Sequence, residues 1–237
     1  MRGKWVCTIF VVSTVALLVF GTVARQKTMD VFGAGNSLPV LVIDAGHGGF
    51  DGGAVGVNGT TEQDINLSIS RSVQALSGLF GYASVMTRPD EQALDYVEGR
   101  SVRENKVADI KARERITNET ENPVFLSIHL NKFEDPQYYG APVFYSKNNA
   151  DSQILAEQTQ EALIAGIPNG NIRRAKPAAA AIYLMKKLEC PAVIVECGFL
   201  SNPEEERKLC DPGSGSLFSS ASCEMSRARC AARLTSR

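Results

Sequence analysis

The chain contains only two histidines, and both stand where an apolar run ends. His47 lies in "VIDAGHGGFDGG" (42–53), at the point where a β-rich run gives way to a glycine-rich bend, and His129 closes "VFLSIH" (124–129). Glu196 sits inside "AVIVECGF" (192–199), the pattern of a central strand, where a carboxylate loses hydration unless it has a partner or a function. Glu62 follows the bend, in the first turn of an expected helix. In open α/β sheets ligands bind beyond the carboxyl ends of the strands. Residues remote in sequence are thereby expected on one rim. Two imidazoles and a carboxylate form the ligand set of a catalytic zinc with a position left for water, and the second carboxylate, Glu196, would then act as general base. Taken singly, a histidine beside a glycine turn reads as a hydrogen-bonded loop residue, and Glu62 as a carboxylate favoured by the helix dipole. Their combination points to metal-assisted hydrolysis.

Several elements must position these residues. "PVLVID" (39–44), "YASVMT" (82–87), "VFLSIH" (124–129), "APVFYS" (141–146), "AIYLM" (181–185) and "AVIVEC" (192–197) read as strands. Ile65, Ile69, Val73 and Leu76 share one helical face, behind a capping-box-like start at Thr61 and Asp64. Two further helices are expected. One covers 103–119, with Val107, Ile110 and Ile116 inward; the other covers 150–165, with Ile154, Leu155, Leu163 and Ile164. Strands interleaved with helices predict a three-layer α/β/α domain, a single unit over 38–209 with a six-stranded, mostly parallel sheet.

The two ends differ from this body. Arg2 and Lys4 precede residues 6–24, "VCTIFVVSTVALLVFGTVA", which carry no charged side chain. About 20 apolar residues cross a bilayer, so residues 1–24 read as an uncleaved membrane anchor or as a signal peptide with small residues near Thr22 and Ala24. The two cations ahead of the apolar run favour export of the remainder of the chain. Residues 25–37 form a polar linker. Residues 210–237 are rich in serine and arginine, without apolar periodicity, and read as an atypical, disordered tail.

Composition excludes other classes. Lys and Arg number 25 against 26 Asp and Glu, and no basic stripe interleaves with aromatics, so nucleic acid has no electrostatic footprint here. The six cysteines form no CxxC pair, which argues against a zinc knuckle or a disulfide framework. Neither HExxH nor GxSxG occurs, and "GHGGFDGG" does not match GxGxxG. Cys197, beside Glu196, permits a cysteine hydrolase, although a buried thiol is its simpler reading.

The stretches "VIDAGHGGFDGGAVG", "TTEQDINLSI", "VMTRPD", "FLSIHLN" and "ECPAVIVECGFLSNPEEE" together resemble the zinc-dependent N-acetylmuramoyl-L-alanine amidases of the amidase 3 family. Several details look most like its sporulation and germination (CwlD) subgroup. The resemblance covers about residues 39–206. It implies that His47, Glu62 and His129 hold Zn²⁺, and that Glu196 is the catalytic glutamate. It implies a peptidoglycan substrate, cleaved between the lactyl group of N-acetylmuramic acid and L-alanine, and in a spore former a role in cortex maturation on the way to muramic δ-lactam. It further implies an extracytoplasmic place, secreted or membrane-anchored through residues 6–24, at the forespore membrane or cortex, with an activating protein partner left open. Arg88, at a strand end on the active rim, and Arg173 and Arg174, in the loop "RRAK", are candidate substrate contacts or solvated charges. Where the family continues with a helix, the resemblance stops near Leu209. That leaves one sheet face expected to lack its cover, and an alternative reading as a catalytically impaired wall-binding or partner-recruiting protein with a damaged C-terminus.

Overall fold

Alternation along three β-rich runs sorts the molecule into two faces. β1 (Val40–Ala45), β3 (Pro123–Asn131) and β6 (Ala192–Phe199) lie side by side and parallel in the computed structural model, which describes residues 38–167 and 169–210. β2 (Ser84–Met86) flanks β1 in parallel, β4 (Val143–Tyr145) pairs antiparallel with β6, and β5 (Lys176–Pro177) pairs parallel with β4. The sheet order is β2-β1-β3-β6-β4-β5, six strands and mostly parallel, as expected. The chain leaves β1 toward β2 and then returns to the other side of β1 as β3. The carboxyl ends of β1 and β3 therefore frame a topological switch point, the place where such sheets bind ligands.

Leu41, Ile43, Leu126, Ile128, Val193 and Val195 belong to the larger apolar cluster. Over it lie α1 (Glu62–Leu79), through Ile65, Ile69 and Val73, and α3 (Asp151–Gly166), through Leu155, Ala156 and Leu163. The alternate residues Val42, Phe125, Ala192 and Ile194 face the other way, beneath α2 (Val102–Glu119), which brings Ile110, and α4 (Tyr183–Lys187), which brings Leu184 and Met185. Each fully buried Leu, Ile or Phe contributes roughly 1.5–3 kcal/mol. The expected bare face is not found among the described residues: Val193, Val195 and Ile194 are 0, 2 and 6% exposed. A last helix, α5 (Pro203–Leu209), capped by the Asn202 side chain, adds Leu209 to the larger cluster.

Some local expectations are corrected. Residues 181–185 are not a strand. Backbone bonds from Lys186 to Ile182 and from Leu188 to Leu184 close a helical turn there, because α4 buries Leu184 and Met185 side by side against the second face; the sixth strand comes from Lys176–Pro177 instead. Thr61 makes no capping bond to the backbone and its hydroxyl pairs with Asp64. The reciprocal capping box belongs to α2, between Ser101 and Glu104. On α2 the buried positions are Asn105, Ala112, Arg113 and Thr117, while Val107 is exposed; on α3, Ile154 and Ile164 face outward. The hydrophobic segment 6–24, the linker 25–37 and residues 211–237 of the tail lie outside the described residues. Among those described, no helix is long and apolar enough to cross a membrane.

Candidate metal centre

Glu62 is the first residue of α1, and its carboxylate is 5% exposed. The Ala54 amide donates to its Oε2 at 2.9 Å and the Leu130 amide to its Oε1 at 3.0 Å. His129 Nδ1 lies 2.9 Å from Oε1 and His47 Nε2 lies 3.3 Å from Oε2. One acid is thus gripped between two imidazoles, one from the end of β3 and one from the bend after β1. The ring centroids are 5.0 Å apart at 77°, and the three donor atoms lie within 4.8 Å of one another. Burial alone would raise the Glu62 pKa, but the imidazole hydrogen bonds outweigh it and hold the acid well below the usual carboxylate range.

The bend explains its glycines. His47 itself has φ of 62°, in the left-handed region, where a non-glycine residue persists only if its surroundings hold it. Its carbonyl accepts from Arg113 Nη2 at 2.7 Å. A side chain at Gly53 would meet Glu62 Oε2 at 2.6 Å and the His47 ring at 2.7 Å, and one at Gly46 would meet the His129 ring at 2.3 Å. Only hydrogen fits between these side chains. Burial disfavours the charged form of His47, yet Asp51 and Glu62 raise its pKa to about 9.

Glu196 is the register partner of His129 on the neighbouring strand, so both side chains point to the α2 side of the sheet. A register shift between His129 and Asn131 comes directly after, as bulges do beside many active sites. The Glu196 Oε2 atom is buried and has no hydrogen-bond partner among the described residues. Burial, reinforced by Glu62 and opposed by the two histidines, raises its pKa. Such a carboxylate suits proton transfer. A cavity of about 240 Å³ opens from the two imidazoles across this face, with Phe50, Phe125, Leu184 and Ile194 among its walls.

The structure therefore brings His47, Glu62, His129 and Glu196 together, and it does not bring the three arginines to them. Arg88 is 1% exposed and donates to the carbonyls of Ala45, Gly46, Gln63 and Asp90. It braces the turns that carry His47 and Glu62, and a substrate contact is excluded by burial. Arg173 donates to the Tyr139 carbonyl and lies over the Phe199 ring at 5.2 Å; Arg174 is exposed, and neither lines the cavity. Cys197 is buried in the larger apolar cluster, and burial pushes its thiol well above its ordinary pKa, so it is no nucleophile.

Two functional neighbours escaped the sequence reading. Asp44, 1% exposed, accepts from Arg113 Nη1 at 2.6 Å, Ser127 at 2.6 Å and Thr87 at 2.7 Å. Burial would raise its pKa, but Arg113 and the hydroxyls bring it below its ordinary value. The argument that singled out Glu196, a carboxylate within a central-strand run, applies equally to Asp44 in "VLVIDAG" and would have found it. Arg113 carried no comparable signal, because it sits in a helix with many exposed charges.

The profile of the amidase 3 family, described as N-acetylmuramoyl-L-alanine amidase, matches residues 41–224, continuing past Leu209. A germination-specific N-acetylmuramoyl-L-alanine amidase of Bacillus subtilis is 33% identical over 73% of this chain and 72% of its own length. The amidase AmiA of Escherichia coli is 26% identical over 72% of this chain and 68% of its own. Among solved structures, the CwlD amidase of Clostridioides difficile, in complex with the GerS lipoprotein, superposes with a TM-score of 0.78 at 35% identity, over 82% of this chain and 99% of that one. With the matched residues enclosing His47, Glu62, His129 and Glu196, the chain belongs to the N-acetylmuramoyl-L-alanine amidases of the amidase 3 family.

Proposed function

We propose that the chain is a zinc-dependent hydrolase of peptidoglycan that cleaves the amide joining the N-acetylmuramic acid lactyl group to the L-alanine of the stem peptide. The observation that carries this reading is the buried Glu62 carboxylate held between one imidazole from the bend after β1 and one from β3, with Glu196, whose buried Oε2 lacks a hydrogen-bond partner among the described residues, in register with His129. The donor set of two ring nitrogens and one carboxylate oxygen fits Zn²⁺. His47, Glu62 and His129 would hold it. When bound, zinc supplies a Lewis acid for the scissile carbonyl and acidifies water at neutral pH.

The protein's own groups account for the rest. Glu196 takes a proton from the attacking water and returns it to the departing alanine nitrogen, a role suited to a buried carboxylate whose Oε2 has no hydrogen-bond partner among the described residues. The apolar cavity walls exclude water from around the amide, which strengthens every charge interaction at the reacting atoms. The Leu130 and Ala54 amides keep both Glu62 oxygens turned toward the imidazoles.

In its biological setting, we infer a role in spore cortex maturation outside the cytoplasm, supported by the germination-specific relative. Residues 38–209 form the catalytic domain in this reading. A protein partner is part of it too, on the precedent of the neighbour solved with a lipoprotein. The test is release of stem peptides from purified sacculi by the zinc-loaded full chain, read as new alanine amino groups. Wild type is expected to release them, and chelation or Glu196→Gln to stop release. Turnover that survives a chelator, or that is lost on thiol alkylation, would overturn the reading.

A further inference from the structure

The bend that carries His47 closes on itself. Gly48 N donates to Asp51 O at 2.9 Å and Asp51 N to Gly48 O at 3.0 Å. Gly48 and Gly49 have φ of 146° and 56°; side chains there would strike Arg88 Cδ at 2.6 Å and the Ala93 amide at 2.8 Å. This tight turn carries the Asp51 carboxylate back to the histidine four residues before it, where Oδ2 lies 3.1 Å from His47 Nδ1. The other Asp51 oxygen, Oδ1, lies 3.1 Å from Lys106 Nζ on α2.

We propose that Asp51 is a positioning residue of the metal centre: its carboxylate keeps the His47 proton on Nδ1 and so turns the Nε2 lone pair toward Glu62 and the metal, with Lys106 fixing the carboxylate from behind. The inference rests on the metal reading given above. A neutral imidazole carries one N–H and one lone pair, and a carboxylate at one nitrogen decides which is which. Partners of this kind set ring orientation and ligand basicity in metal sites. The two histidines differ in this respect. His129 presents Nδ1 to Glu62, and its Nε2 edge lies against Gly46, with no carboxylate paired to it among the described residues. Of the two rings, His47 has an acid behind it.

α2 holds His47 at two points. Lys106 grips the ring through Asp51, and Arg113, two turns further along the same helix, donates to the His47 carbonyl at 2.7 Å. The glycines of "GHGGFDGG" thus do more than make room. They return an acid to the ring it orients.

The test is the zinc dissociation constant of the full chain, measured by competition with a chromophoric chelator, together with the visible spectrum of the cobalt-substituted protein. Asp51→Ala is expected to weaken zinc binding by about 10–100-fold and to alter the cobalt bands. Asp51→Asn keeps an acceptor without the charge and should fall between; it also serves if the alanine variant does not fold. Lys106→Met, at a half-exposed position, should cost no more than about fivefold. Variants that keep the wild-type zinc constant and cobalt spectrum would overturn the proposal, even if the metal-free chain melts lower, since that is the mark of a merely structural turn. A wild-type chain that binds no divalent ion in the same titration would instead overturn the metal reading itself.

Discussion

The two faces of the sheet are built from different materials. Under α1 and α3 lies a broad aliphatic layer that includes Leu41, Ile43, Leu126, Ile128, Val193 and Val195. Under α2 and α4 the apolar cluster is small, and toward the carboxyl ends of the strands it gives way to Asp44, Ser127, Arg113 and His129 around a cavity. The difference assigns separate roles. Dispersion and hydrophobic burial on the first face fix the strands, and a sheet held from one side can carry groups on the other that contribute little net stability. The Asp44–Arg113 pair illustrates this, because the desolvation of two buried charges consumes most of their attraction. What the pair provides is position: the same guanidinium that meets Asp44 holds the Ala45 and His47 carbonyls.

Breaking the second face should destroy function before fold. Glu196→Gln is expected to lower kcat by about 10²–10⁴-fold while zinc content and melting temperature stay near wild type. Loss of zinc in that variant would show that Glu196 holds the ion instead of handling protons.

Asp44→Asn leaves Arg113 with Asp109, 2.6 Å from its Nε, as its remaining charge partner. The loss of one buried charge-assisted bond costs about 1–3 kcal/mol, read by denaturant unfolding, and should weaken metal binding as the guanidinium that holds the His47 carbonyl loses one of its two anchors. The same pair predicts acid behaviour. Because the folded Asp44 pKa is depressed, its contribution is present above the unfolded value of ~3.9 and is lost as pH falls through the lower folded value.

On the first face, Leu163→Ala should cost about 2–5 kcal/mol with the zinc constant unchanged, which sharpens the contrast. A metal affinity that tracked this substitution would dissolve the division between the faces.

The smallest effect is a change of slope. In the metal-free chain, Asp51 and Glu62 raise the His47 pKa to about 9 from an unfolded value of ~6.5. That contribution is complete below pH ~6.5 and is lost as pH rises through 9, so the metal-free melting temperature should fall across this window. With zinc present the ion replaces the proton, and stabilisation by metal should grow with pH over the same range.

Much of the centre was legible because its residue types are scarce and sit at element ends. Two histidines after strands, a glutamate in a central-strand run and another at a helix start point to one rim once the sheet is recognised as mostly parallel. Arg88 misled because its place at a strand end says nothing about direction, and the chain folds its guanidinium inward to satisfy four carbonyls. "AIYLM" misled because a short apolar run does not distinguish strand from buried helix; the tertiary need to cover Phe125 and Ile194 made it α4. Asp51 looked like one more polar residue in a loop until the turn closed.

The sequence alone determined the layered α/β architecture, through the period-2 and period-3.6 placement of apolar residues, and the identity of the four groups able to bind metal or move protons. The tertiary structure alone decided how they meet: that His47 offers Nε2 and His129 offers Nδ1, that Asp51 stands behind the His47 ring, and that Arg113 spans from Asp44 to the His47 carbonyl. Residue type and spacing fix what a side chain can do, whereas its orientation depends on contacts between segments tens of residues apart, which no local pattern encodes.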